Sequence, residues 1–108
     1  MSTMNLNQAA RCLETLGNPT RLEIVRLLVR AGPEGLAVGE IQEHLGVPGS
    51  TLSHHLSHLV NNGVVRQERE GRVLRCRPDF TVIEALTGFL LAECCRGVRA
   101  AKPRRKAG

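Results

Sequence analysis

Three histidines, His54, His55 and His58, stand within five residues of one another, among the short hydroxyl side chains Ser50, Thr51, Ser53 and Ser57. Two chemistries fit that cluster. His54 and His58 are spaced i, i+4, so on a helix they share a face and could bind one zinc ion. The stretch from Gly49 to Asn62 holds no Cys, Asp or Glu to complete such a site. The alternative is a surface for nucleic acid. Hydroxyls and imidazoles both donate and accept hydrogen bonds and approach phosphates and base edges closely. An ordinary solvated helix carries Glu, Lys and Arg. This stretch has none of them, and freedom from negative charge is what a surface facing phosphates requires.

Four cysteines, Cys12, Cys76, Cys94 and Cys95, form the second chemically capable set. There is no N-terminal apolar stretch of signal-peptide form and no run long enough to span a bilayer, so the protein is expected in the cytoplasm, with no membrane partner and with its thiols reduced. Such cysteines are core residues, metal or metalloid ligands, or redox sensors. Cys76, in an alternating segment, reads as a small core hydrophobe. A thiol hydrolase built from Cys and His is the enzymatic alternative. The chain has no phosphate loop and no Cys-x-x-Cys, and its histidines all fall between His44 and His58, so no enzyme is expected.

Elements must position these groups. The chain has 108 residues, enough for one domain, and only two aromatic residues, Phe80 and Phe89, so the core must come from Leu, Val, Ile and Ala. Leu6, Ala9, Ala10, Leu13 and Leu16 recur at helical spacing and predict a helix over Asn5–Leu16. Asn18 and Pro19 read as N-cap and first helical position of a second helix, running to about Ala31. Its residues Leu22, Ile24, Val25, Leu27, Leu28 and Val29 suggest a broad buried face. Gly32-Pro33-Glu34-Gly35 breaks it. A third helix fits about Val38 to Leu45, and a fourth runs from Gly49 or Ser50 to Asn61 with Leu52, Leu56, Leu59 and Val60 inward. Residues 64–70 and 72–77 flank Glu70-Gly71 and predict a β-hairpin. Asp79 can cap a last helix from Phe80 to about Val98, with Ile83, Leu86, Leu90 and Cys94 on one side.

Two short helices joined by a glycine turn and followed by a hairpin make a winged helix-turn-helix. The expected fold is thus mainly α with a small β-hairpin: five helices and a two-stranded wing over residues 1–98, then a flexible basic tail over 99–108. The DNA-facing residues expected on the fourth helix are Gly49, Ser50, Thr51, Ser53, His54, Ser57 and His58. Arg69 and Arg72, at the hairpin tip, are expected to reach a flanking minor groove or its phosphates. The net charge of +5 is uneven. Residues 44–77 carry five Arg against two Glu, and residues 96–108 carry six basic and no acidic side chains.

Four blocks, Leu16-Gly17-Asn18-Pro19-Thr20-Arg21-Leu22, Ser50-Thr51-Leu52-Ser53-His54-His55-Leu56, Asn62-Gly63-Val64-Val65 and Arg69-Glu70-Gly71-Arg72, make residues 5–98 resemble the ArsR/SmtB family of bacterial metal- and stress-responsive repressors. The resemblance implies a homodimer paired through its first and last helices, bound to a double-stranded DNA operator when unliganded and released by an inducer. It also implies where inducers are held. The third-helix metal site needs a Cys-x-Cys pair where this chain has Ala37-Val38-Gly39. The last-helix zinc site needs Asp and His pairs; Asp79 is present, but no histidine follows His58. Some arsenic-responsive members carry a vicinal cysteine pair near the end of the last helix, with a further cysteine nearby; here no cysteine follows Cys95.

Trivalent arsenic binds three thiolates, and two vicinal thiols make a partial site for As(III) or a similar thiophile. Cys12, from the same or the partner subunit, is the candidate third ligand to Cys94 and Cys95. A redox reading stands beside it: a reversible disulfide from Cys12 to Cys94 or Cys95, with Arg96 lowering a thiol pKa. Helical geometry would point neighbouring cysteines apart, against a direct Cys94–Cys95 bond. No cofactor is required under either reading. Two further alternatives remain open: cysteines with a purely structural role, and an interaction module that keeps the fold without binding DNA.

Overall fold

The computed structural model describes residues 4–98; the expected basic tail, 99–108, lies outside the described residues. Five helices and three strands follow in the order α1 (Leu6–Leu16), α2 (Pro19–Ala31), β1 (Leu36–Ala37), α3 (Val38–Leu45), α4 (Gly49–Asn61), β2 (Val65–Glu70), β3 (Val73–Pro78) and α5 (Phe80–Leu91). Local chemistry sets most of these boundaries. Asn5 and Gln8 form a reciprocal capping box at α1, with side chain to backbone distances of 2.8 and 2.9 Å. Asn18 Oδ1 accepts from the backbone N–H groups of Thr20 and Arg21, and Pro19 occupies the first helical position of α2. Asp79 Oδ1 accepts from the Val82 N–H at 3.3 Å and starts α5.

The core is aliphatic. Ile24 and Leu28 of α2, Ile41 of α3, Leu52, Leu56 and Leu59 of α4, Val64 and Val65 leading into β2, and Cys76 of β3 are buried together. Ala9 and Cys12 of α1 and Leu86 of α5 close one end of it. Cys76 is a core residue, its sulfur 3.4 Å from Gln67 Nε2.

Three features differ from the sequence reading: the number of strands, the width of the buried face of α2 and the end of the last helix. The wing belongs to a three-stranded antiparallel sheet of order β1-β3-β2, because Leu36 and Ala37 pair with Cys76 and Arg75. A two-residue strand is too short to show any alternation. On α1 the buried stripe is Ala9, Cys12 and Thr15, while Leu6 and Leu13 turn outward at 71% and 44% exposure. On α2 only Ile24, Val25 and Leu28 are buried; Leu22 and Val29 are exposed.

The last helix ends at Leu91 rather than near Val98. Ala92 leaves the helical region, Glu93 and Cys95 adopt positive φ of 62° and 64°, and short turns carry the chain onward. Residues 90–98 are exposed, so no core contact within the protomer draws the helix forward.

Gly35 stands where β1 meets β3. Its φ is +65°, and a Cβ there would collide with the Cys76 carbonyl oxygen. Gly71, at the hairpin tip, has the same φ of +65° with open space around it. Gly71→Ala is expected to cost about 1 kcal/mol, the backbone penalty alone. Gly35→Ala should cost about 2–3 kcal/mol, because the strand must also move. Urea unfolding of the two variants measures the difference, and equal losses would mean that β1 is not held against β3.

Candidate nucleic-acid interface

Helix α4 is held by its three buried leucines, and this fixes which face it shows. Leu52, Leu56 and Leu59 point into the core, which leaves Gly49, Ser50, Thr51, Ser53, His54 and Ser57 exposed. His58 is half-buried rather than fully outward, with its carbonyl accepting from Asn62 Nδ2 at 2.8 Å. All seven residues expected from sequence thus lie on one helix, six of them on its open face. No side chain caps the N-terminus of α4, and no acidic residue lies in its first turn. Its free backbone N–H groups are suited to an anionic oxygen.

The His54 and His55 rings meet edge to face, 5.7 Å between centroids. His55 is half-buried, and its Nδ1 lies 3.5 Å from Arg21 Nη1. Burial first, then the positive charges of Arg21, His54 and His58, push the His55 pKa below its ordinary value. Arg21 is a residue that sequence reasoning passed over. It stands in the Asn18-Pro19-Thr20-Arg21 block, but nothing in its spacing shows that α2 and α4 cross at this point.

The wing divides its arginines into two groups. Arg75 Nε donates to Glu70 at 2.9 Å, and Arg77 binds both Glu70, at 3.1 Å, and Glu68. Hydrogen bonds from Arg75 and Arg77 hold the Glu70 carboxyl below its usual pKa. Arg66, Arg69 and Arg72 are exposed and, among the described residues, make no ion pair. Arg69 and Arg72 flank the turn at Gly71, as expected. The wing therefore presents three uncommitted cations, and its other two are used to brace the β-ribbon.

The cysteines fall differently from expectation. Cys12 is buried on α1, and burial pushes its thiol pKa up, so it is a poor nucleophile where it stands. Cys94 and Cys95 lie beyond α5 in the turn, both exposed. Because this segment is not helical, their sulfurs do not point apart: Sγ to Sγ is 3.1 Å. The Cys94 thiol is pushed up, chiefly by its hydrogen bond with Cys95. Among the described residues of one protomer no three His, Cys, Asp or Glu side chains converge to hold a metal ion, and Cys12 does not join the pair within a protomer. No described helix is long and apolar enough to cross a membrane.

Comparison with known proteins places this geometry. A helix-turn-helix domain family matches residues 16–68. A helix-turn-helix-type transcriptional regulator of Methanocaldococcus jannaschii is 39% identical over 64 residues, which cover 59% of this chain and 70% of that protein. The chain spans about half the length of other curated relatives it matches, such as the biofilm growth-associated repressor of Xylella fastidiosa, 36% identical, where 58% of this chain covers 53% of the relative. Among solved structures, HlyU from Vibrio cholerae superposes with a TM-score of 0.67 at 29% identity, covering 85% of this chain and 99% of HlyU. The homodimeric winged helix-turn-helix DNA-binding domain of a possible ArsR-family regulator from Mycobacterium bovis superposes with a TM-score of 0.63 at 32% identity, covering 82% of each chain. The fold agrees with these relatives, and the chain belongs to the ArsR/SmtB family of winged helix-turn-helix transcriptional regulators.

Proposed function

We propose that the chain acts as a homodimeric repressor that binds a double-stranded DNA operator through α4 and the wing tip and is released by a thiol-directed signal at Cys94 and Cys95. The observation that carries the DNA reading is the acid-free, exposed stripe of Ser and His on a helix whose opposite face is locked in the core. Pairing is supported by Leu6 and Leu13 on α1 and Leu90 and Leu91 on α5, large apolar side chains exposed on two helices in mutual contact. A homodimeric relative of the same fold points the same way.

The thiol reading rests on the two exposed sulfurs 3.1 Å apart. Arsenous acid would condense with both thiols to a dithiolate, releasing two waters. A peroxide would instead take two electrons from the pair, closing a disulfide and leaving two waters. Cys12 does not belong to this site within a protomer, and its burial favours a packing role.

Selection from a random duplex pool tests the DNA reading. A two-fold symmetric site with half-sites about one helical turn apart is expected; failure to enrich any sequence would overturn it. On the selected duplex, Ser53→Ala and His54→Ala should each weaken binding by about 1–3 kcal/mol while the thermal unfolding midpoint holds.

Replacing Arg69 and Arg72 together with alanine should weaken binding to all duplexes. It should lower the salt-dependence slope by about two units, one per phosphate contact. An unchanged slope would take the wing tip off the DNA.

Cys94→Ser/Cys95→Ser should bind the duplex normally and stay bound under arsenite and peroxide concentrations that release the parent. A variant released like the parent would end the cysteine reading, and separate arsenite and peroxide arms tell the two signals apart.

A further inference from the structure

Arg21 makes two contacts with two different helices. Its Nε donates to the Thr15 carbonyl oxygen at 2.7 Å. Thr15 is buried in the last turn of α1, where backbone carbonyls have run out of helical partners. Its Nη1 lies 3.5 Å from His55 Nδ1 on α4. A guanidinium only donates, so His55 must receive with an unprotonated Nδ1 and carry its hydrogen on Nε2. The lowered pKa of His55 is consistent with a neutral ring in that role. Among the described residues this is the one side-chain hydrogen bond that ties α4 to another helix.

We infer that Arg21 is a positioning residue for the recognition helix, one guanidinium that fastens the end of α1 to the inner edge of α4. The leucines of α4 set its depth and rotation in the core, but apolar packing is non-directional. The Arg21 fork adds a directional tie next to His54 and Ser53, two residues proposed to face DNA. Its other end is anchored on the helix that carries Leu6 and Leu13, so the placement of the proposed dimer face is passed to the DNA-facing helix through a polar contact. The functional consequence rests on the DNA-binding reading above; the bridge itself is a property of the free protein.

The experiment uses the full chain, with and without the duplex selected from the random pool. Long-range nitrogen–proton NMR of the unbound parent should show His55 as the Nε2–H tautomer. Arg21→Lys keeps the charge but loses the fork, and His55→Leu removes the acceptor; each should weaken duplex binding about tenfold, as for loss of a hydrogen bond to a charged group. The double variant should lose no more than either single one. His55→Asn places an oxygen near the Nδ1 position and should restore affinity to within about threefold of the parent.

A proton on His55 Nδ1, additive losses in the double variant, or His55→Asn as weak as His55→Leu would each overturn the inference. If Arg21→Lys does not fold, the comparison of His55→Leu with His55→Asn decides the same question. A parent that enriches no duplex would remove the DNA reading, and the purpose of the bridge with it. A parent that binds duplex, with additive losses in the double variant, would remove the bridge alone.

Discussion

The seating of α4 on α2 and on the start of β2 is the contact from which the rest of the structure follows. Leu52, Leu56 and Leu59 sit almost fully buried among Ile24, Leu28, Val64 and Val65. Burying a leucine is worth about 1.5–3 kcal/mol. Three on one stripe fix the rotation of the helix about its axis, because any turn would expose them. The stripe of serines, threonine and histidines is outward for that reason alone. With only two aromatic residues in the chain, the core has no large ring to anchor it. Many small aliphatic contacts share the work, and α4 contributes three of the fully buried leucines.

Much of this was readable from residue types. Asn5, Asn18 with Pro19, and Asp79 mark the starts of α1, α2 and α5 by side-chain chemistry that acts within a few residues. The face of α4 was equally plain, since four apolar residues at helical spacing leave one orientation. What sequence could not show depends on contacts between distant segments. The β1 pairing exists because β3 offers it a partner, and two residues carry no period of their own. The early end of α5 reflects an absence of packing beyond Leu91, which periodicity cannot register. The leucines of α1 show a helical period, but an apolar stripe looks the same whether it meets its own chain or another. Arg21 was visible as a residue but not as a bridge, because its reach to His55 spans 34 positions.

Charge is handled differently on α4 and on the wing. Helix α4 carries no Asp, Glu, Lys or Arg, so its exposed face is free of fixed charge. The wing is rich in arginine but neutralises two of its five with Glu68 and Glu70, at exposed sites where ion pairs contribute little to stability. Their effect is geometric. They hold the two strands together across a ribbon with little apolar cover, and they leave Arg69 and Arg72 beside the turn unpaired.

β1 gives the protomer a property that a free hairpin would not have. It pairs with the inner half of β3 and runs without a break into α3, with Gly35 pressed against the Cys76 carbonyl. The wing is therefore stapled to the helix-turn-helix, in the manner of a caliper whose jaws share one frame. Such an instrument cannot stretch its wing toward a wider groove while its helix stays seated. In the proposed complex, any mismatch between protein and duplex has to be absorbed elsewhere, either by bending the DNA or by swivelling one protomer against the other. In the proposed dimer, the accommodation that a flexible wing would provide within each subunit is moved to the seam between subunits.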